Sequence, residues 1–150
     1  MPEIVVRAMV ASDLARVVQM MAALSQHHGD VARMTEATLA RDCLGPDPWA
    51  RIMVAKVGGA LAGYMALKRL AWLHYGDRGL EVVHLFVAPE ARRQGVGRAL
   101  LAAASAAARA AGCVELKVGT HPDNLAVVGY YLAQGFERQA VTGARFRLYL

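Results

Sequence analysis

Features of secreted and metal-binding proteins are scarce in this sequence. Only two of its 150 residues are cysteines, Cys43 and Cys113, and they form no C-x-x-C motif. Neither a disulfide framework nor a zinc motif is therefore indicated. The five histidines show no i, i+4 spacing with a carboxylate partner, so no metal site is predicted. They are His27, His28, His74, His84 and His121.

Targeting signals and membrane spans are also lacking. The longest apolar stretch is an alanine-rich segment bounded by arginines, and it is too small-sided to resemble a membrane span. The first residues, MPEIVVRAMV, include no basic region and no small-residue cleavage site. We therefore expect a cytoplasmic protein with no membrane partner.

The positive charge has little pattern. The net charge is +5 and the pI is about 9.6, yet the only local concentration of arginines is Arg92, Arg93 and Arg98. No zinc finger, basic zipper or aromatic RNA-binding motif is present, so we expect no nucleic-acid partner. The surplus fits a small polyphosphorylated ligand, and a solvated surface with no partner is the plainer alternative.

The composition, 56% hydrophobic and 19% charged, predicts one globular domain over residues 1–150. In the first half of the chain, hydrophobic periodicity predicts a strand, two helices capped by Ser12 and Thr35, and a hairpin around Gly58 and Gly59. The strands are predicted at 4–9, 49–57 and 60–75, and the second helix at 36–44.

The second half predicts a parallel crossover. An apolar strand over 80–87 is followed by the alanine helix to Gly112 and by a buried strand over 113–120. A last helix over 124–134 and two short strands, 136–140 and 144–150, complete the chain. The predicted fold class is α/β (α+β), with a mixed, mostly antiparallel sheet, a central parallel β-α-β crossover and helices on both faces.

A glycine loop between the apolar strand and the alanine helix is the clearest functional motif. Residues Arg92 to Gly97 read R-x-x-G-x-G, and backbone N–H groups at such a helix N-terminus can hold an anion. No lysine follows the glycines as in a P-loop, and Leu100 stands where a dinucleotide fingerprint needs its third glycine.

The loop resembles the acetyl-CoA loop of the GNAT superfamily of N-acyltransferases. A second motif, NLAVVGYYLAQGF, is similar to a later motif of that family, through Asn124, Tyr131, Gly135 and Phe136. The order of elements is similar as well, so the resemblance covers essentially the whole chain. It implies acetyl-CoA as cofactor and transfer of an acetyl group to an amine, often by a homodimer.

The resemblance assigns cofactor-binding residues. The loop would bind the pyrophosphate, although Arg93 replaces a glycine that is common in the family. The pantetheine arm would lie between two strands that splay apart, and a main-chain N–H near Val87 would face the thioester oxygen. The cofactor-binding set is Leu85, Phe86, Val87, Arg92, Arg93, Gln94, Gly95, Val96, Gly97, Arg98, Lys117, Val118, Gly119 and Asn124; Asn124 is alternatively a helix cap.

Tyr131 is the candidate general acid, which would protonate the leaving thiolate, and Tyr130 is expected to pack. Glu81 and His84 are the candidate bases. Strand alternation predicts that they lie on opposite faces, so only one of them would reach the amine without a bulge. Glu81 is favoured, since many family members carry a glutamate there that works through water.

The acceptor is predicted from what is missing. The layout is similar to the diamine and thialysine acetyltransferase branch, but Val83 and His84 replace a Glu-Asp pair that attracts polycations there. We expect a small primary amine of low positive charge. His27 and His28 would line its entrance, or simply form a frayed helix end. A weakly catalytic acyl-CoA-binding or regulatory module and a protein N-acetyltransferase are the alternatives.

Overall fold

The computed structural model describes residues 2–120 and 124–150. The chain divides into two compact units, Met1–Gly119 and Thr120–Leu150, and each is described by itself. The single domain expected from composition stays a prediction. His121 lies outside the described residues.

The first unit is a five-stranded mixed sheet in the order β1-β2-β3-β4-β5. Neighbouring strands are antiparallel except β4 and β5, which are parallel and are joined by α3. The predicted α/β fold with a mostly antiparallel sheet is thus confirmed. The strands are Ile4–Ala8, Arg51–Val57, Ala60–Trp72, Asp77–Val87 and Glu115–Val118, and the helices α1, α2 and α3 are Leu14–His27, Glu36–Cys43 and Val96–Ala110.

Helices cover both faces of this sheet, as predicted. On one face, Val17 of α1 and Leu39 of α2 belong to a buried cluster with Tyr64 and Phe86 from the middle of the sheet. On the other face, α3 lies so close to β3 that a Cβ added to Gly63 would be 3.3 Å from Val96. The sheet therefore lies between two hydrophobic layers.

The helix caps agree only in part with the sequence. Thr35 caps α2 as predicted, since its Oγ1 accepts a hydrogen bond from the Thr38 N–H at 3.1 Å. Ser12 does not cap α1. Asp13 stands at the N-cap position of α1, but its carboxylate makes no capping bond to the helix; it accepts the Val10 N–H at 2.8 Å and hydrogen bonds from the two terminal guanidinium nitrogens of Arg7. A carboxylate can accept these charge-assisted bonds together, which a serine hydroxyl cannot.

Two expectations about the end of the chain are wrong. The fifth strand was expected to be buried, but β5 is the last strand in the sheet order, and its residues are partly or fully exposed. The parallel pair therefore lies at one side of the five-stranded sheet and not at its centre. In the second unit, α4 spans Leu125–Ala133, but residues 136–150 form no strand. Strand-like composition produces a strand only where another strand satisfies the backbone.

Candidate active site

The glycine loop has the geometry of an anion site. Gly95 is the N-cap of α3 in a left-handed conformation, with φ 88°. Val96, the first helical residue, is buried beneath the loop, whereas Arg92, Arg93 and Gln94 are exposed. The loop thus presents the N-terminus of a 15-residue helix to solvent, where its N–H groups and dipole favour a negative charge.

Arg93 also adopts a positive φ, 61°, the only such value at a non-glycine among the described residues. The family often has glycine at this position, and the left-handed backbone explains why. Arg92 is held differently, because its Nε donates a hydrogen bond to the Val87 carbonyl at 3.0 Å. This bond ties the loop to the end of β4.

The pairing of β4 with β5 ends before the residues of β4 where the resemblance placed the pantetheine arm. Their parallel pairing ends at Val82 and Val118, whereas β4 continues beside β3 to Val87. Just beyond β4, the Ala88 N–H bonds to the Ala62 carbonyl. By antiparallel alternation Leu85 and Val87 turn their N–H groups away from β3, toward the edge of β4 that β5 leaves unpaired. The N–H and carbonyl groups of Phe86 point toward β3, so they do not face the place predicted for the pantetheine arm.

A β-bulge in β4 changes which side chains lie together. The register passes from Leu67 opposite Val82 to Ala66 opposite His84, so Val83 is the extra residue. One extra residue shifts the alternation by one place. Glu81 and His84 therefore share the α1/α2 face of the sheet, and the expectation that they lie on opposite faces is wrong.

A cavity of about 480 Å³ opens on that same face. It is bordered by α1, α2 and strands β2, β3 and β4, and its lining is dominated by apolar side chains and two thioethers. Asp42 is its one carboxylate, and Arg41 Nε lies 2.8 Å from Asp42 Oδ1. The lining residues are Met21, Met34, Thr38, Leu39, Asp42, Cys43, Trp49, Ala50, Ile52, Ala66, Val83 and His84.

His84 connects the cavity with the core. Its Nδ1 lies 3.2 Å from the hydroxyl of Tyr64, which is completely buried on β3. Burial lowers the pKa of His84, and the nearby charge of His28 lowers it further. Burial also raises the pKa of Tyr64 far above its usual range. The imidazole is thus held neutral near physiological pH beside a phenol that keeps its proton.

Glu81 lies outside the residues that line the cavity. Its Oε1 is 3.7 Å from the Nζ of Lys68, directly opposite on β3, and its side chain is half-buried. Glu81 could therefore act on a molecule in the cavity only through an intervening water.

His27 and His28 lie at the end of α1, with ring centroids 5.7 Å apart. Both are exposed and neither lines the cavity, but His28 is close enough to influence His84. The His28 N–H bonds to the Leu24 and Ser25 carbonyls at the C-terminal end of α1.

The second unit carries the candidate acid. Tyr131 on α4 is half-buried, and its ring packs edge-on against Tyr130 and Phe136. Burial and, to a smaller extent, Tyr130 raise the pKa of Tyr131 to about 12. Tyr130 is the more exposed of the pair, which is contrary to the packing role expected for it. Asn124 caps α4 by accepting the Val127 N–H at 3.3 Å, which favours the capping alternative.

Several residues in or beside the cavity were not identified from the sequence. Asp42 and Trp49 line the cavity, and Tyr64 contacts His84 from the core. All three lie far from the recognisable motifs, and only the strand register and the position of α2 bring them near β4. Across residues 2–120 and 124–150, no group of three or more His, Cys, Asp or Glu side chains could hold a metal ion. Within the same residues, no helix is long and apolar enough to cross a membrane.

Comparisons with known proteins identify the family. The acetyltransferase (GNAT) family profile matches residues 18–136. The chain is 31% identical over 117 residues to aminoglycoside N(6')-acetyltransferase type 1 of Klebsiella aerogenes, which covers 77% of this chain and 73% of that protein. It is 31% identical over 138 residues to the mycothiol acetyltransferase of a Parafrankia strain, covering 90% of this chain but 39% of that longer protein.

A solved structure shows the same fold. The crystal structure of an aminoglycoside acetyltransferase from an uncultured soil metagenomic sample matches with a TM-score of 0.80 and 15% sequence identity, and the match covers 97% of each chain. Since the family profile spans most of the sequence, and the glycine loop and crossover are present, the chain belongs to the GNAT family of acetyltransferases.

Proposed function

We propose that this protein transfers the acetyl group of acetyl-CoA to the primary amine of a small molecule, by direct attack in a ternary complex. One observation carries the proposal. Immediately after β4 leaves β5 at Val82, the next two residues, Val83 and His84, line the cavity. The stretch of β4 that we assign to the pantetheine arm and the cavity that we assign to the acceptor thus meet on one strand.

The chain is an acetyltransferase, and acetyl-CoA is its acetyl donor. In the proposed complex, the loop over 92–98 binds the pyrophosphate through main-chain N–H groups. The main-chain groups of Leu85 and Val87, with those of residues 117–119, hold the pantetheine arm as an added strand would. The Val87 N–H then faces the thioester oxygen and stabilises the negative charge that develops on it.

Proton transfer is assigned to two side chains. Glu81 takes a proton from the acceptor's ammonium group through water, which frees the amine to attack the thioester carbon. Tyr131 gives its proton to the departing thiolate, since a phenol with a pKa of about 12 stays protonated at neutral pH. His84 is the alternative base because it lines the cavity directly.

The cavity favours an acceptor with one amine and an apolar body. Its lining supplies one carboxylate, which is already paired with Arg41. A polycation needs several carboxylates, because each close charge pair contributes about 4 kcal/mol before desolvation at an effective dielectric near 20. We therefore propose a mono-amine or an amino-acid derivative. This differs from the polyamine preference of the diamine and thialysine branch, which the layout of the sequence resembles.

Location and assembly complete the proposal. We place the protein in the cytoplasm, as a homodimer without nucleic-acid or membrane partners. The other candidate functions are a weakly catalytic acyl-CoA-binding or regulatory module and a protein N-acetyltransferase. The volume of the cavity, about 480 Å³, is that of a small-molecule site, which favours a small acceptor over a protein chain.

Charge at position 83 provides the test. Val83→Glu restores one carboxylate of the missing pair, and Val83→Gln is the uncharged control of equal size. We expect Val83→Glu to raise kcat/KM for spermidine about tenfold or more over Val83→Gln, and to change a neutral-bodied mono-amine much less. Equal spermidine constants for the two variants, or a wild-type constant for spermidine above that of every mono-amine, would contradict the proposed acceptor.

A further inference from the structure

We propose that Tyr64 fixes His84 in the neutral Nε2–H tautomer, so that His84 donates a hydrogen bond into the cavity instead of accepting the ammonium proton. The inference rests on the proposed function, because it gives His84 a role toward the acceptor. It makes Tyr64 a positioning residue, which acts through His84 and does not touch the acceptor.

The buried hydroxyl of Tyr64 decides the tautomer. Tyr64 is inaccessible to solvent, and its hydroxyl lies 3.2 Å from His84 Nδ1. A hydroxyl in that position must donate its proton to an acceptor, since leaving it unpaired is costly. In the part of the chain that the structure describes, Nδ1 is the acceptor in reach, and no buried side-chain polar atom lacks a partner there. A neutral imidazole whose Nδ1 accepts carries its proton on Nε2.

The surroundings keep His84 neutral. Its ring faces Tyr64, which lies on β3, and the positive charge of His28 at the end of α1 lowers the pKa of His84. From α2, Asp42 and Cys43 line the same cavity. Asp42 is already paired with Arg41, and burial raises the pKa of the Cys43 thiol, so Cys43 stays uncharged near neutral pH. Protonation of His84 would also make Nδ1 a donor and leave the Tyr64 proton without this acceptor.

The other ring nitrogen, Nε2, determines which groups His84 can bind in the cavity. With Nδ1 turned to Tyr64, Nε2–H is the polar group that the ring offers to the cavity that it lines. An N–H donor binds a carbonyl or hydroxyl oxygen and repels an ammonium group. The acceptor should therefore carry an oxygen near its reactive amine, as an amino-acid derivative does, and its ammonium proton should leave by another path, through water to Glu81.

The tautomer can be measured without turnover. In the ligand-free protein labelled with ¹⁵N-histidine, above the titration midpoint of His84, we expect an unprotonated Nδ1 and a protonated Nε2. Tyr64→Phe removes the hydroxyl and keeps the ring, so the preference of His84 for Nε2–H should fall. Exposed His74 is the internal control and should not change. A protonated Nδ1 with an unprotonated Nε2 in the wild type would overturn the inference.

Kinetics provide a second measurement that does not depend on the folding of Tyr64→Phe. His84→Gln retains an N–H donor but cannot accept a proton, whereas His84→Ala lacks both properties. We expect His84→Ala to lower kcat/KM about tenfold and His84→Gln to lower it less. Both variants should retain the decrease of kcat/KM at acid pH, because the inference does not make His84 the base. Equal losses in both variants, with that decrease abolished, would identify His84 as the base and refute the inference.

The two measurements separate this inference from the proposed function. The NMR spectrum needs no acceptor. A protein that shows Nε2–H but acetylates no amine would refute the proposed function and leave the tautomer assignment standing. A protein that acetylates amines but shows Nδ1–H would support the proposed function and refute the tautomer assignment.

Discussion

Gly97 lies in the first turn of α3, where the proposal places the pyrophosphate of acetyl-CoA. Gly97→Glu would put a carboxylate in that place, so we expect acetyl-CoA binding to be lost while the fold is retained. Gly97 is a better position for this test than Gly95, whose φ of 88° would add backbone strain to any substitution.

The matched control for Gly97→Glu is Ala106→Glu. It adds the same charge to an exposed position of the same helix, more than two turns from its N-terminus. Calorimetry should give an unchanged dissociation constant for acetyl-CoA with this control. Equal affinities for Gly97→Glu and Ala106→Glu would show that the loop does not bind the cofactor.

Tyr131 should act through its proton. Tyr131→Phe is expected to lower kcat about 10²-fold or more with little change in acetyl-CoA affinity, and Tyr130→Phe should change kcat much less. The pKa of about 12 is raised, so the phenol remains a proton donor until the pH approaches that value. The kcat profile should therefore show no alkaline limb from Tyr131 below about pH 10.

If Tyr130→Phe lowers kcat more than Tyr131→Phe does, Tyr130 and not Tyr131 is the catalytic residue. An alkaline limb near neutral pH that disappears in Tyr131→Phe would show that the phenol ionises far below the expected range.

At the scale of helices and strands, the close packing around β3 depends on Gly63. A Cβ at this position would lie 2.6 Å from the Phe86 carbonyl oxygen and 3.3 Å from Val96. Since the first atom belongs to the backbone, Gly63→Ala must move β4 or α3, and we expect it to lower the free energy of unfolding by about 1–3 kcal/mol. Urea denaturation measures the change.

Gly129→Ala is the control for that substitution. Gly129 lies within α4 and has no atom within 4 Å of an added Cβ, so alanine should leave stability unchanged or raise it by up to about 1 kcal/mol. If Gly63→Ala is as stable as this control, the backbone of β4 and the side chain of Val96 approach Gly63 less closely than the structure indicates.

The sequence predicted those elements whose signals are local. The Thr35 cap, the hairpin at Gly58 and Gly59, and the strand, glycine loop and helix around Gly95 all follow from short patterns, and the structure confirms them. The bulge at Val83 could not be predicted, because it depends on the register between β3 and β4. Without the bulge, strand alternation wrongly separated Glu81 from His84.

The cavity was beyond sequence reasoning for a related reason. Tyr64 and His84 are 20 residues apart, and their contact requires both the register and the bulge. The predicted strands after Phe136 failed because strand propensity alone does not provide a pairing partner.

For the whole molecule, the exposed apolar end of the chain supports assembly. Phe146, Leu148 and Tyr149 are each at least 80% exposed. Exposed apolar groups in sequence favour burial against another surface. We expect a homodimer, measured by size-exclusion chromatography with light scattering, and dissociation on removal of residues 144–150. A monomer at micromolar concentration would contradict the predicted dimer.

Amine-dependent release of coenzyme A by the purified protein is the measurement that decides whether it is a small-molecule N-acetyltransferase. With acetyl-CoA and a panel of mono-amines, amino-acid derivatives, polyamines and an aminoglycoside, the free thiol and the N-acetylated product should form in equal amounts. Gly97→Glu should form neither. We predict the highest kcat/KM for a mono-amine or an amino-acid derivative. Tight binding of acetyl-CoA without amine-dependent thiol release from any acceptor would contradict the proposal and favour an acyl-CoA-binding module.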